Sequence, residues 1–161
     1  MANEIEMNFK IVDKKGLLNY LRLWSEEKIQ KIKMTYLGKE NDENFYIRIE
    51  EIQEKNNTRK VLTAKGNFMS TDGVNQRKEV SIPILESTEK YIEFLLLIGM
   101  SRRDSKSKIR HVFEVGELDV TVDEWDVKEL GDRLEIEGKD KSKLKELASK
   151  LSQYCEPIPS K

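Results

Sequence analysis

Strict alternation of polar and apolar residues constrains the fold of this chain more than any other feature. From Glu4 to Ile11 every second residue is apolar, and the residues between them are charged or amide side chains. Because successive side chains of a β-strand point to opposite faces, this pattern predicts a strand with one apolar and one polar face.

Similar strand character returns along the rest of the chain, interrupted by three segments with the apolar spacing of helices. The predicted strands cover about 4–11, 29–37, 45–52, 59–67, 76–84, 105–115, 117–125 and 133–138, and the predicted helices cover 14–28, 86–100 and 142–154. Eight antiparallel strands are enough to close a barrel. We therefore predict an α+β fold that is mainly antiparallel β: an eight-stranded barrel with helices packed outside, formed as one domain over residues 1–161.

Composition narrows the classes of function. The formal net charge of −1 provides no overall field to attract nucleic acid or a membrane. The longest apolar run, Phe94 to Ile98, is too short to span a bilayer. The single cysteine, Cys155, excludes an internal disulfide. We expect a cytoplasmic protein that binds neither nucleic acid nor membrane.

Charged residues recur in pairs on one face of almost every predicted strand. Examples are Glu4 with Glu6, Arg77 with Glu79, and Lys108 with Arg110. Such faces usually meet water and form cross-strand ion pairs, and alternation alone favours that interpretation. The alternative is that the apolar faces point outward beneath the helices. The charged faces would then line the lumen, where carboxylates suit Mg²⁺ or Mn²⁺ and basic groups suit phosphate.

Short motifs spread from Glu4 to Glu137 favour the second interpretation. They are Glu4-Ile5-Glu6, Arg48, Thr63-Ala64-Lys65-Gly66, Arg77-Lys78-Glu79, Lys108-Ile109-Arg110 with Phe113, and Asp123 followed by Leu130-Gly131 and Glu135-Ile136-Glu137. In order and spacing they resemble the CYTH superfamily, which takes in class IV adenylate cyclases, thiamine triphosphatases and inorganic tripolyphosphatases. The resemblance implies a tunnel barrel with its polar faces inside.

The resemblance also implies roles for these residues. Metal-binding candidates, for Mg²⁺ or Mn²⁺, are Glu4, Glu6, Glu79, Asp123, Glu135 and Glu137, of which Glu79 could instead brace a base. Substrate-binding candidates are Lys10, Arg48, Lys65, Arg77, Lys108, Arg110 and Arg133. Catalytic candidates are Glu4, Glu6, Lys65 and Arg110. The implied partner is a small triphosphate (tripolyphosphate, ATP or thiamine triphosphate), bound by a monomer or a homodimer.

Two positions depart from the motifs that the chain resembles. Asn8 stands where the pattern has the lysine after Glu-x-Glu, and Glu50 stands where it has the second arginine of Arg-x-Arg. Both remove a positive charge from the predicted tunnel, and Lys10 compensates for Asn8 only in part. Since that lysine can help to activate the attacking water, its loss bears more on hydrolysis than on binding.

Three functions stay open at the level of sequence. The leading hypothesis is metal-dependent hydrolysis of a triphosphate. The second is conversion of ATP to cyclic AMP and pyrophosphate, and the third is polyphosphate or nucleotide binding with little turnover. We expect the only histidine, His111, to point out of the tunnel. We expect Trp125 either to close a tunnel mouth or to stack on the base ring of a nucleotide.

Overall fold

Eight antiparallel strands close into a barrel, as the alternation predicts. The computed structural model describes residues 2–158, and of residues 2–4 and 67 it describes the backbone only. The barrel strands are β1 (Ala2–Ile11), β2 (Lys28–Gly38), β3 (Tyr46–Glu54), β4 (Asn57–Thr71), β5 (Val74–Pro83), β6 (Ser101–Val115), β7 (Leu118–Trp125) and β8 (Asp132–Gly138). They are ordered β5-β4-β3-β2-β6-β7-β8-β1, and pairing of β1 with β5 closes the ring.

Three helices cover the outside of this barrel: α1 (Lys14–Arg22), α2 (Thr88–Leu97) and α3 (Lys141–Lys150). The apolar faces of β1, β7 and β8 share one core cluster with buried leucines of α1 and α3. Ile49 of β3 packs with Ile92 and Leu95 of α2 in a second cluster. Because these apolar faces pack outward on helices, the alternate, charged faces of the same strands point into the lumen. The predicted fold and the inward orientation of these faces are confirmed.

The strand connections follow from local backbone chemistry. Asp72 and Gly73 have φ values of 52° and 74°, which is the left-handed conformation of the tight turns that join hairpin strands. Helix α1 begins at Asp13, whose carboxylate accepts a hydrogen bond from the backbone N–H of Gly16 at 2.9 Å. It ends at Arg22, earlier than the predicted residue 28.

The structure adds a strand that the sequence does not predict. Strand β9, Cys155–Pro157, pairs with Phe9–Ile11 at the end of β1 and buries Cys155. Three residues, one of them a proline, are too few to show an alternating pattern. The strand forms because Phe9–Ile11 extend beyond the part of β1 that pairs with β5 and offer their backbone groups for pairing.

A helix long and apolar enough to cross a membrane is not found among residues 2–158.

Candidate functional site

Three acidic side chains meet inside the barrel on neighbouring strands. Glu6 of β1 pairs in register with Glu137 of β8, and Glu135 lies one pleat along, opposite Asn8. Carboxylate oxygens of Glu6, Glu135 and Glu137 all lie within 4.8 Å of one another. The Asn8 amide donates to Glu6 Oε1 at 3.3 Å, so the residue that replaces the expected lysine orients one carboxylate.

This acidic cluster fits a small divalent cation by its chemistry. Mg²⁺ binds oxygen ligands at about 2.0–2.1 Å, which puts opposite ligands about 4.2 Å apart. A spread of 4.8 Å therefore needs only small side-chain rotations to close on an ion. Glu4 continues the same strand, but its side chain lies outside the described residues, so its predicted metal and catalytic roles stay predictions.

Asp123 lies among basic groups rather than in the acidic cluster. Lys108 Nζ donates to Asp123 Oδ2 at 2.8 Å. Arg110 binds the same carboxylate in a bidentate manner, with Nε donating to Oδ1 at 2.7 Å and Nη2 donating to Oδ2 at 2.8 Å. Burial alone would raise the pKa of Asp123, but hydrogen bonds and charge from Arg110 and Lys108 hold it below the usual value. Asp123 thus fixes two phosphate-binding candidates, and its predicted metal role stays a prediction.

The net pKa shifts of Lys108 and Arg110 are opposite, although burial acts to lower both. Burial, with the positive charge of Arg110, lowers the pKa of Lys108 to about 8 against the opposing effect of Asp123. Burial also acts to lower the pKa of Arg110, but the Asp123 hydrogen bond and charge hold it above its ordinary value. Of Lys108 and Arg110, Lys108 is therefore the group whose charge changes in an accessible pH range.

Unfolding measurements over a series of pH values should detect the ionisation of Lys108. Because the folded-state pKa of Lys108 lies below its unfolded value of 10.5, burying its charge costs stability below about pH 8. The cost disappears as the pH rises from about 8 to 10.5. The free energy of unfolding of the wild type, measured against Lys108→Met, should rise over this range by ~1–3 kcal/mol. A difference that stays flat in urea titrations at each pH would contradict this ionisation.

Lys65 and Glu79 form a second acid–base pair. They are register partners on β4 and β5, with Lys65 Nζ 3.0 Å from Glu79 Oε2. The side chain of Lys65 is buried, and Thr63 and Ser81 share a hydrogen bond beside it at 2.9 Å. The contact fits the role of Glu79 in bracing a basic residue, and that role and its metal-binding role both stay predictions.

Arg48 and Arg77 each have side-chain partners on the inward face of the barrel. Arg48 Nε donates to Glu50 Oε1 at 2.8 Å. The Arg77 guanidinium lies 4.7 Å from the Phe68 ring and 5.8 Å from the Tyr46 ring, and it donates to the Tyr46 hydroxyl at 3.1 Å. Arg48 and Glu50 lie two residues apart on one face of β3. Register brings Arg77 to Phe68 and Tyr46 on neighbouring strands, and a pattern within one strand cannot reveal that contact.

Lys10 is more exposed than the other predicted substrate-binding residues, and Arg133 is half-buried. They are register partners on β1 and β8, but Lys10 is exposed and the Arg133 Nε donates to the backbone carbonyl of Leu130. Their substrate role stays a prediction. His111 points outward as expected, with its ring nitrogens 3.1 Å from Glu27 Oε2 and 2.8 Å from Glu124 Oε2.

One part of the lumen is apolar, contrary to the expectation that strands turn charged faces inward. Ile32 and Met34 of β2 pack with Ile52 of β3, and Tyr36, Val61 and Trp125 lie against them. These residues share the inward face with Lys108 and Glu50 by register. We call this set the apolar plug. Trp125 belongs to it and lies 4.4 Å from Lys108 Nζ, which favours the interpretation that it closes the tunnel.

The acidic cluster and the apolar plug lie toward opposite ends of the barrel. Trp125 is the last residue of β7, whereas Asp119 near its start pairs with Glu137. At the Glu137 end a cavity of about 690 Å³ is lined by Glu79, Ser81, Glu137 and Lys143. Most of the charged groups that line it are acidic, and Lys143 pairs with Glu117 at 2.6 Å. Its place beside the acidic cluster therefore makes this cavity the candidate entrance to the tunnel.

Known structures share this fold over nearly the whole chain. A conserved hypothetical protein of Pyrococcus furiosus is 22% identical, with a TM-score of 0.77 over 97% of this chain and 96% of that chain. A Hippeastrum protein, described as a putative adenylyl cyclase with a dominant triphosphatase activity, is 16% identical, with a TM-score of 0.71 over 98% and 92%. A chain of the Schizosaccharomyces pombe Mediator head module is 12% identical, with a TM-score of 0.77 over 96% and 97%.

At these identities the likeness establishes the fold and not the activity. The sequence matches no protein-family model and no curated protein. The fold that the resemblance implies is confirmed, since structures described as putative adenylate cyclases share it. The Mediator chain shares it as well, so any function must be argued from the lumen itself.

Proposed function

We propose that the tunnel binds the triphosphate group of a small molecule together with Mg²⁺ or Mn²⁺ and hydrolyses it. The observation that carries the proposal is the position of the acidic cluster in the same lumen as Lys65, Arg77, Lys108 and Arg110. A ligand that is both a polyanion and a metal chelator needs the carboxylates and the basic residues at once, and a triphosphate is such a ligand.

Glu6, Glu135 and Glu137 would hold the cation. When bound, it supplies Lewis-acid polarisation of a phosphoryl oxygen. The basic residues neutralise and align the phosphate chain, with Asp123 and Glu79 fixing the positions of Lys108, Arg110 and Lys65. A water oxygen forms a bond to the terminal phosphorus, and the bond from that phosphorus to the bridging oxygen breaks. The water protons pass to the product phosphate and to solvent.

One assay tests this function against its rivals. Tripolyphosphate, ATP and thiamine triphosphate are each incubated with the protein in Mg²⁺ and in Mn²⁺, and phosphate, pyrophosphate and cyclic AMP are measured. Phosphate without cyclic AMP supports hydrolysis. Pyrophosphate with cyclic AMP replaces it with the cyclase reaction.

A second candidate function is binding with little turnover. It is favoured by Asn8, which stands beside Glu6 in place of a base, and by the direct contact of Glu50 with Arg48. Binding of tripolyphosphate without any product in the same assay would support this candidate over hydrolysis.

Lys65 provides a specific test of the tunnel as the binding site. Lys65→Met should weaken tripolyphosphate binding by about tenfold or more, because it removes a buried ammonium from the lumen while keeping most of the length of the side chain. Isothermal titration calorimetry measures the change. Lys78→Met, at an exposed position on β5, is the matched control. Equal effects of the two variants would place binding outside the tunnel.

The remaining expectations belong to the same proposal. They are one domain over residues 1–161, a reducing cytoplasmic setting, a monomer or homodimer, and no nucleic-acid or membrane partner.

A further inference from the structure

Glu50 is a carboxylate buried on the inward face of β3, next to Arg48, which the sequence predicts to bind substrate. Its side chain is 8% exposed, and Oε1 lies 2.8 Å from Arg48 Nε. Its register neighbours on the two adjacent strands are Met34 and Val61, both apolar. A charge in such surroundings needs a partner, and Arg48 supplies it.

The contact has the form that a bound phosphate would take. A guanidinium donates to carboxylate and to phosphate oxygens with the same geometry and similar strength. A phosphate that approaches Arg48 must therefore share it with Glu50 or displace a buried carboxylate, which would lose its partner. The charge of Glu50 also contributes to holding the pKa of Arg48 above its ordinary value, against the lowering effect of burial.

We propose that Glu50 is a built-in counter-anion that occupies Arg48 in place of a ligand phosphate and thereby limits the affinity of the tunnel for polyphosphate. The inference rests on the proposed function, because it concerns the same ligand. It assigns to Glu50 a role in specificity: the tunnel would discriminate less strongly for highly charged ligands than its set of basic residues suggests. Arg48 would then contribute little to binding in the wild type.

The test is a double-mutant cycle on binding of tripolyphosphate without metal, in the presence of a chelator. The wild type, Glu50→Gln, Arg48→Met and the double variant are titrated by calorimetry. Glu50→Gln should bind about tenfold tighter or more, and Arg48→Met should differ from the wild type by less than about threefold. In the Glu50→Gln background the same arginine substitution should cost about tenfold or more.

Glu51→Gln is the matched control, since Glu51 follows directly on the strand but pairs outward with Lys60 at 3.7 Å. If Glu50→Gln binds tripolyphosphate no more tightly than the wild type does, the inference is overturned and the proposed function still stands. If circular dichroism shows that Glu50→Gln does not fold, the loss of affinity in Arg48→Met is compared with the loss in Lys65→Met. A loss as large as that of Lys65→Met overturns the inference, and a loss below about threefold supports it.

The failure of the proposed function has a different signature. Absence of binding in every variant overturns the tunnel as a polyphosphate site, and this inference with it. Binding by Glu50→Gln alone supports the inference, because it shows that the carboxylate keeps the ligand out of the wild-type tunnel.

Discussion

Glu135→Gln is expected to lower the Mg²⁺-dependent hydrolysis of tripolyphosphate by about 100-fold or more, with the fold retained. Glu135 is one of the three carboxylates whose oxygens lie within 4.8 Å of one another, and an amide keeps its shape but lacks the charge that binds a hard cation. Glu93→Gln, on the exposed side of α2, should leave the rate unchanged.

Direct metal binding separates this loss from a change in substrate affinity. Titration of Mn²⁺ into the ligand-free protein should show affinity weakened by about tenfold or more for Glu135→Gln. Activity within about threefold of the wild type, together with unchanged Mn²⁺ affinity, would move the metal away from the acidic cluster.

Asp123→Asn is expected to destabilise the protein by about 3–5 kcal/mol, because it leaves Lys108 and Arg110 buried without their shared counter-charge. For a chain of this size that loss corresponds to a fall in Tm of ~6–20 °C. Asp119→Asn, at an exposed position on the same strand, should change Tm by less than about 2 °C. Thermal and urea unfolding measure both.

A compensating change identifies the cause of this loss. The double variant Asp123→Asn with Lys108→Met should be more stable than Asp123→Asn alone, because it removes one of the two unpaired buried charges. Equal stability of the two variants would show that the ion pairs are not what the substitution disrupts.

The barrel could be predicted from the sequence because its strands carry the same alternation repeatedly. Glu4 to Ile11 and Arg133 to Gly138 show a period of two without interruption, and each has apolar residues that a helix must cover. The acidic candidates Glu6, Glu135 and Glu137 could be placed on one side of the lumen only through the resemblance of their motifs. Their mutual distance is a result of register, which alternation does not determine.

The apolar plug shows where prediction from one strand fails. In β2 the residues Ile32, Met34 and Tyr36 alternate with polar neighbours as clearly as any outward face does. Only pairing with Arg48 and Glu50 reveals that this apolar face points into the lumen. The contact of Arg77 with Phe68 and Tyr46 is hidden for the same reason.

Under the proposed function, the apolar plug also bears on the length of polyphosphate chain that the tunnel would accept. A phosphate chain that threads a pore from end to end can be shortened step by step without being released. Here the route past the acidic cluster ends at Ile32, Met34 and Ile52, which offer no donor to an oxyanion. The cavity beside Glu137 opens on the acidic side of the apolar plug, and a second cavity of about 680 Å³, lined by Ile32, Lys108 and Trp125, lies at its other side. If the tunnel hydrolyses polyphosphate as proposed, the plug would make it distributive and would favour short chains, with product escape competing for the same opening as the next substrate.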